Sequence, residues 1–116
     1  MVDDNNLNLK VAEKLLTSYG LQVETINNGF SLIDKMKAGE VYDLILLDDM
    51  MPKMSGTETL KNLRQLPTFS IPTVALTANA IEGMREKYLS EGFDEYLAKP
   101  IEKTELNRII AKYLSK

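Results

Sequence analysis

Residues 44–47 read Leu-Ile-Leu-Leu and run directly into Asp48 and Asp49. Four consecutive apolar residues that end on acid do not suit an amphipathic strand with one wet face. They suit a strand covered on both faces, and a strand of that kind belongs to a parallel sheet between helix layers. This feature restricts the fold more than any other. The segments around it obey the restriction. Leu7, Val11, Leu15 and Leu16 recur at helical spacing up to Gly20, with Asn5 or Asn6 as N-cap. Leu21 to Ile26 alternates and is β-branched, as in a strand. Phe30, Ile33, Met36 and Lys37 mark a short helix closed by Gly39, and Leu60, Leu63 and Leu66 a helix that ends before Pro67. Pro72 to Leu76 reads as a strand, Ile81 to Glu91 as a helix closed by Gly92, and Tyr96 to Ala98 as a strand. Leu106, Ile109, Ile110, Tyr113 and Leu114 form the stripe of a last helix. Helices and strands alternate throughout, which predicts an α/β fold in one domain over residues 1–116.

Composition narrows the chemistry. The chain has neither Cys nor His. A Ser-His-Asp triad, a Cys-His pair, a disulfide framework and a zinc site built on N or S ligands are all excluded. With 14 basic against 17 acidic residues, the net charge of −3 offers no footprint for nucleic acid or for an anionic membrane. No apolar run is long enough to cross a bilayer and no signal peptide is visible, so the expected location is cytoplasmic.

The polar residues fall at repeated places. Asp3 and Asp4 follow the Met1-Val2 stub of a first strand, Asp48 the third strand, Thr77 the fourth and Lys99 the fifth. In a parallel sheet these carboxyl ends share one edge, where open α/β folds bind ligands. Three carboxylates, a hydroxyl and an ammonium are therefore predicted to converge. Like charges so close destabilise one another. One Lys offsets part of that charge, and a hard divalent cation offsets more. Mg²⁺ suits a few carboxylates with retained waters and a phosphoryl oxygen. A carboxylate is also a nucleophile towards phosphorus, and phosphoryl transfer asks for positioning and charge stabilisation more than for acid–base groups.

The stretches VDDNNLN, DLILLDDMMPKMSG, ALTANA and EYLAKPIE, in that order, resemble the receiver domain of two-component response regulators over essentially the whole chain. The VDDNNLN start and the segment around residues 78–102 look most like receivers of hybrid histidine kinases. The resemblance implies a flavodoxin-like sheet of strand order 2-1-3-4-5. It also implies that Asp48 is the phosphoacceptor and Asp4 a direct Mg²⁺ ligand, with Asp3 acting through water. The Met50 carbonyl matches a third protein ligand. Thr77 and Lys99 match the residues that contact the phosphoryl oxygens, Tyr96 an aromatic that changes rotamer with Thr77, and Lys99-Pro100 a cis bond. The implied partner is a histidine kinase or a histidine phosphotransfer domain, and the implied role is a switch rather than an enzyme, with self-phosphorylation and autodephosphorylation at Asp48 only.

Three departures stand out. Ser55 occupies a place where Asp or Asn is common. Met50 and Asn79 hold positions that tune hydrolysis of the phosphoryl group, and an apolar Met orients no water. Asp49 replaces a residue that is usually apolar or neutral, and strand alternation predicts that it points away from the pocket. The competing readings are a receiver-like interaction module that is never phosphorylated and a haloacid-dehalogenase-type phosphatase. The latter needs DxDx[TV] after the first strand and a cap; here DDMMP follows the third strand and no residues remain for a cap. Finally, a first strand of two or three residues lies between two neighbours. Buried unpaired backbone groups cost about 1–3 kcal/mol each. Such a sheet tolerates the stub, is completed by a second copy, as a homodimer or a strand-exchanged oligomer, or belongs to a longer parent chain that supplies more residues.

Overall fold

A computed structural model of the chain describes residues 1–51, 53–67, 69–77, 84–98 and 101–114. The elements alternate as α1 (Asn6–Thr17), α2 (Gly29–Lys37), β1 (Ile45–Asp48), α3 (Gly56–Arg64), β2 (Thr73–Thr77), α4 (Met84–Ser90), β3 (Glu95–Ala98) and α5 (Lys103–Tyr113). The strands are parallel, in the order β1-β2-β3. All residues of β1 and β2 are buried, the polar Asp48, Thr73 and Thr77 at their ends included, and the apolar stretches 45–47 and 74–76 are covered on both faces. Asp48 and Thr77 are the last residues of their strands rather than the first beyond them.

Two apolar clusters flank the sheet. Val2, Leu32, Leu47, Leu60, Leu63, Ala75, Tyr88 and Phe93 belong to one. Leu16, Leu46, Val74, Leu76, Leu97, Leu106 and Ile109 belong to the other. Residues 46 and 47, or 74 and 75, go to opposite sides because side chains alternate along a strand.

The first strand is the stub that the sequence implies, and it is paired on both sides. Val2 bridges Ile26 and Leu47 in parallel. Val2 N donates to Leu46 O at 2.7 Å and Asp48 N to Val2 O at 2.8 Å. Ile26 N donates to Met1 O at 2.9 Å and Asp3 N to Ile26 O at 3.0 Å. The stub thus lies between Ile26 and β1, where order 2-1-3-4-5 puts it.

Leu21 to Ile26, however, is not a strand. Only Ile26 makes a bridge. A strand is defined by its partner, and two or three residues ahead of α1 offer one bridge and no ladder. The helix stripes also need correction. Leu7 and Val11 are 69% and 61% exposed, and α1 buries Leu9, Ala12 and Leu16 instead. Phe30 is half exposed, and α2 buries Leu32 and Ile33. Leu16 and Ile33 of the expected stripes are buried, and Leu15 and Met36 pack against the two clusters; Leu7, Val11 and Phe30 are the members that miss the core. Of the helix expected over 81–91, residues 81–83 lie outside the described residues.

Candidate phosphoacceptor and metal site

The carboxyl edge of the sheet is assembled by strand ends and helix starts. Asp3 leaves the stub and turns into α1. Its Oδ1 accepts from Asn5 N at 3.0 Å and its Oδ2 from Asn8 Nδ2 at 3.4 Å. Asn5 then caps α1, accepting from Leu7 N and Asn8 N at 2.9 and 3.1 Å. This chain of caps fixes where Asp3 and Asp4 stand. Asp48 ends β1, and Met50 N donates to its Oδ1 at 3.2 Å. The loop then closes on Gly56, whose N donates to Asp49 O at 3.1 Å. Ser55 caps α3 by accepting from Glu58 N at 3.1 Å, so its departure from the usual acid keeps a capping side chain.

Asp3, Asp4 and Asp48 each bring a carboxylate oxygen to within 4.8 Å of the other two. Asp3 and Asp48 are buried and Asp4 is exposed. A set of hard oxygen donors, two of them withdrawn from water, suits an oxygen-seeking divalent cation of the Mg²⁺ type. The predicted acidic trio is therefore brought together. A cleft of about 250 Å³ opens beside Asp4, walled by Phe30, Met51 and Met54 with Asn27, Asn28 and Lys53. Met50 is 68% exposed. Lys99, Pro100 and Asn79 lie outside the described residues.

Thr77 takes a different neighbourhood. In the β1–β2 register Asp48 pairs with Leu76, so the next step sets Thr77 beside Asp49. Asp49 does turn away from Asp3 and Asp4, as alternation predicts. Its Oδ1 accepts from Thr57 N at 3.3 Å and lies 3.0 Å from Thr57 Oγ1. Its Oδ2 accepts from the Tyr88 hydroxyl at 3.0 Å. Thr57 Oγ1 also contacts Glu91 Oε2. Tyr88 is buried, and Thr77 is hydrogen-bonded to the same phenol oxygen. Burial pushes the Tyr88 phenol above its ordinary value, the Thr77 contact pulls it partly back, and Asp49 pushes it up again. Tyr96 stacks on Tyr88, with ring centroids 6.2 Å apart and planes at 23°. The sequence reading singled out Asp49 and Tyr96 but missed Tyr88 and Thr57. The one signal for them was an acid in an apolar position, which requires donors nearby.

Residues 1–111 match the family model of the response regulator receiver domain. The chain is similar to part of the signal transduction histidine-protein kinase BarA of Escherichia coli K12, 39% identical over 113 residues. That match takes in 97% of this chain and 12% of BarA, so the chain spans about an eighth of that relative's length. Among solved structures it resembles the receiver domain of sensor histidine kinase PA1611 from Pseudomonas aeruginosa PAO1, which holds a magnesium ion in its active-site cleft. The TM-score is 0.85 at 34% identity, over 99% of this chain and 94% of that one. It also resembles a chain in the co-crystal structure of the Saccharomyces cerevisiae histidine phosphotransfer protein Ypd1 with the receiver domain of Ssk1. There the TM-score is 0.82 at 26% identity, over 97% of this chain and 84% of that one.

Proposed function

The chain belongs to the response regulator receiver domain family, and from that premise we propose that Asp48 takes a phosphoryl group from a phosphohistidine partner and so switches the surface of this domain. One observation carries the reading: three carboxylates from two strand ends gather within 4.8 Å at the carboxyl edge of a parallel sheet. An oxygen of Asp48 attacks phosphorus, the phosphorus–nitrogen bond breaks, and the imidazole nitrogen leaves with the electron pair. Met50 N–H, 3.2 Å from Asp48 Oδ1, holds the carboxylate in its orientation. Burial of Asp48 keeps bulk water from the acyl phosphate. Asp3, Asp4, Asp48 and the Met50 carbonyl would hold Mg²⁺, which when bound neutralises charge between carboxylates and phosphoryl oxygens. The Thr77 hydroxyl donates to a phosphoryl oxygen, a role Lys99 shares on the sequence resemblance. Met50 presents no group to orient a water, which favours a long-lived phosphoryl state.

The partner is a histidine kinase or a histidine phosphotransfer domain. Leu7 and Val11, exposed on the helix that starts beside Asp4, and Met50 beside Asp48 supply an apolar rim for it. Residues 1–116 act as one domain that turns over no outside substrate, in the cytoplasm. Among the described residues no helix is long and apolar enough to cross a membrane.

Intact-protein mass after incubation with Mg²⁺ and phosphoramidate tests this reading. One phosphoryl adduct is expected on the parent and none on Asp48→Asn. A folded parent without adduct would overturn the proposal in favour of an unphosphorylated interaction module.

A further inference from the structure

Thr77 is expected to serve the phosphoryl group, yet its hydroxyl is hydrogen-bonded to Tyr88 on the opposite side of the strand from Asp48. Proton counting decides the direction of that bond. A phenol has one proton and a carboxylate only accepts. The Tyr88 proton goes to Asp49 Oδ2, 3.0 Å away. The phenol oxygen can then only accept from its other neighbour, so Thr77 must donate to it. Asp49 is itself held by the backbone N–H of Thr57 at the start of α3, at 3.3 Å, while the single proton of the Thr57 hydroxyl is shared between Asp49 Oδ1, 3.0 Å away, and Glu91. Thr57 in turn reaches Glu91, the residue after α4. The Tyr88 ring is fixed by Phe93, edge-on with centroids 5.7 Å apart, and by Tyr96. This acceptor is therefore buried, oriented and tied to two helices.

We propose that Tyr88 and Asp49 form a latch on Thr77: Asp49 takes the Tyr88 proton, Tyr88 takes the Thr77 proton, and the phosphoryl group must win that hydroxyl from Tyr88. The inference rests on the reading of Thr77 given above. Tyr88 and Asp49 are positioning residues, since neither touches the reacting atoms. The latch favours the unmodified state, and its release frees Tyr88 at the base of α4. Tyr96, stacked on the same ring, follows the change.

The test is a set of variants in the phosphoramidate assay. Tyr88→Phe removes the acceptor and is expected to raise the rate of uptake on Asp48 about fivefold, equivalent to about 1 kcal/mol. Asp49→Asn keeps an acceptor oxygen without its charge and is expected to act in the same direction with a smaller gain. The gain from Tyr88→Phe should persist in Thr77→Ser, which keeps the hydroxyl, and vanish in Thr77→Val. A merely structural role for Tyr88 does not produce that pattern. An unchanged or slower rate in Tyr88→Phe, or a gain that survives in Thr77→Val, would overturn the latch while leaving the functional reading intact. A second readout needs no phosphate. In protein with ¹³C-labelled tyrosine rings, the Tyr88 Cζ resonance is expected to move in Thr77→Val and hold in Thr77→Ser. A resonance that ignores the loss of the hydroxyl overturns the latch even if Asp48 takes no phosphoryl group.

Discussion

Gly56 is where this fold tolerates least. It opens α3 directly after the cap Ser55 and sits under the loop that follows Asp48. A Cβ added there would lie 2.6 Å from Asp48 O and 2.8 Å from Asp49 Cα. Both are backbone atoms and cannot rotate away. The gap to Asp48 O must open by about 0.4–0.8 Å to reach the 3.0–3.4 Å range of tight real contacts. Overpacking of this kind costs about 1–3 kcal/mol. Against it stands a gain of about 0.4–1 kcal/mol from the stiffer unfolded chain and better helix propensity of Ala. The expected net loss for Gly56→Ala is about 1–2 kcal/mol, or a fall in Tm of about 4–8 °C for a chain of this size. The displaced backbone carries Asp48 and Met50, so Mg²⁺ affinity should fall about tenfold, as for other disturbances just outside a metal's ligands. Gly20→Ala is the control. Gly20 has φ +81° with open space around it, so Ala there meets only backbone strain of about 1–2 kcal/mol. It should lower Tm and leave Mg²⁺ binding alone. Urea or thermal unfolding with and without Mg²⁺ measures both. A Gly56→Ala protein as stable as the parent, with the same Mg²⁺ affinity, would refute the claim that this contact sets the position of the Asp48 loop.

Three further outcomes are expected. Asp4→Asn removes one charge from the exposed edge of the acidic trio; without Mg²⁺ it should gain up to about 1 kcal/mol. The same variant should lose most of the Mg²⁺-dependent stabilisation, about 2.7 kcal/mol in the parent at a hundredfold excess over Kd, as thermal unfolding across a Mg²⁺ series will show. Val11→Lys should slow transfer from a phosphohistidine domain several-fold, since a buried apolar rim contact contributes roughly 1–2 kcal/mol, while uptake from phosphoramidate stays at the parent's rate. Glu24 is held below its ordinary carboxylate value of 4.5 by hydrogen bonds from Lys35, at 2.6 Å, and Tyr42. Its contribution is therefore present above about pH 4.5 and lost as pH falls through the lowered folded value. Both partners of the ion pair are over a third exposed, so the advantage of the parent over Glu24→Gln should stay below about 1 kcal/mol at pH 7 and vanish in urea unfolding once the pH lies below the lowered folded value.

The sequence by itself determined the layers, because apolar period and run length report how many faces of an element are covered. The unbroken run before Asp48 marked a strand buried on both faces, and β1 is buried throughout. The acidic trio was legible for the same reason: a residue at the carboxyl end of a parallel strand has one edge to go to, and Asp3, Asp4 and Asp48 meet there. Local pattern failed where a partner decides. Leu21 to Ile26 has the composition of a strand but no ladder to join, since the stub supplies a single bridge. Leu7 and Val11 have helical spacing, yet α1 rolls its Leu9–Ala12–Leu16 side onto the sheet and leaves them to solvent. The environment of Thr77 was likewise decided by tertiary structure. Its hydroxyl meets Tyr88 because strand register puts Thr77 beside Asp49 and α4 lays Tyr88 over both. Residues 49, 77 and 88 are far apart in the chain and share no period. Hydrogen bonds of that kind depend on register and helix docking, which belong to the folded molecule and to no segment of it.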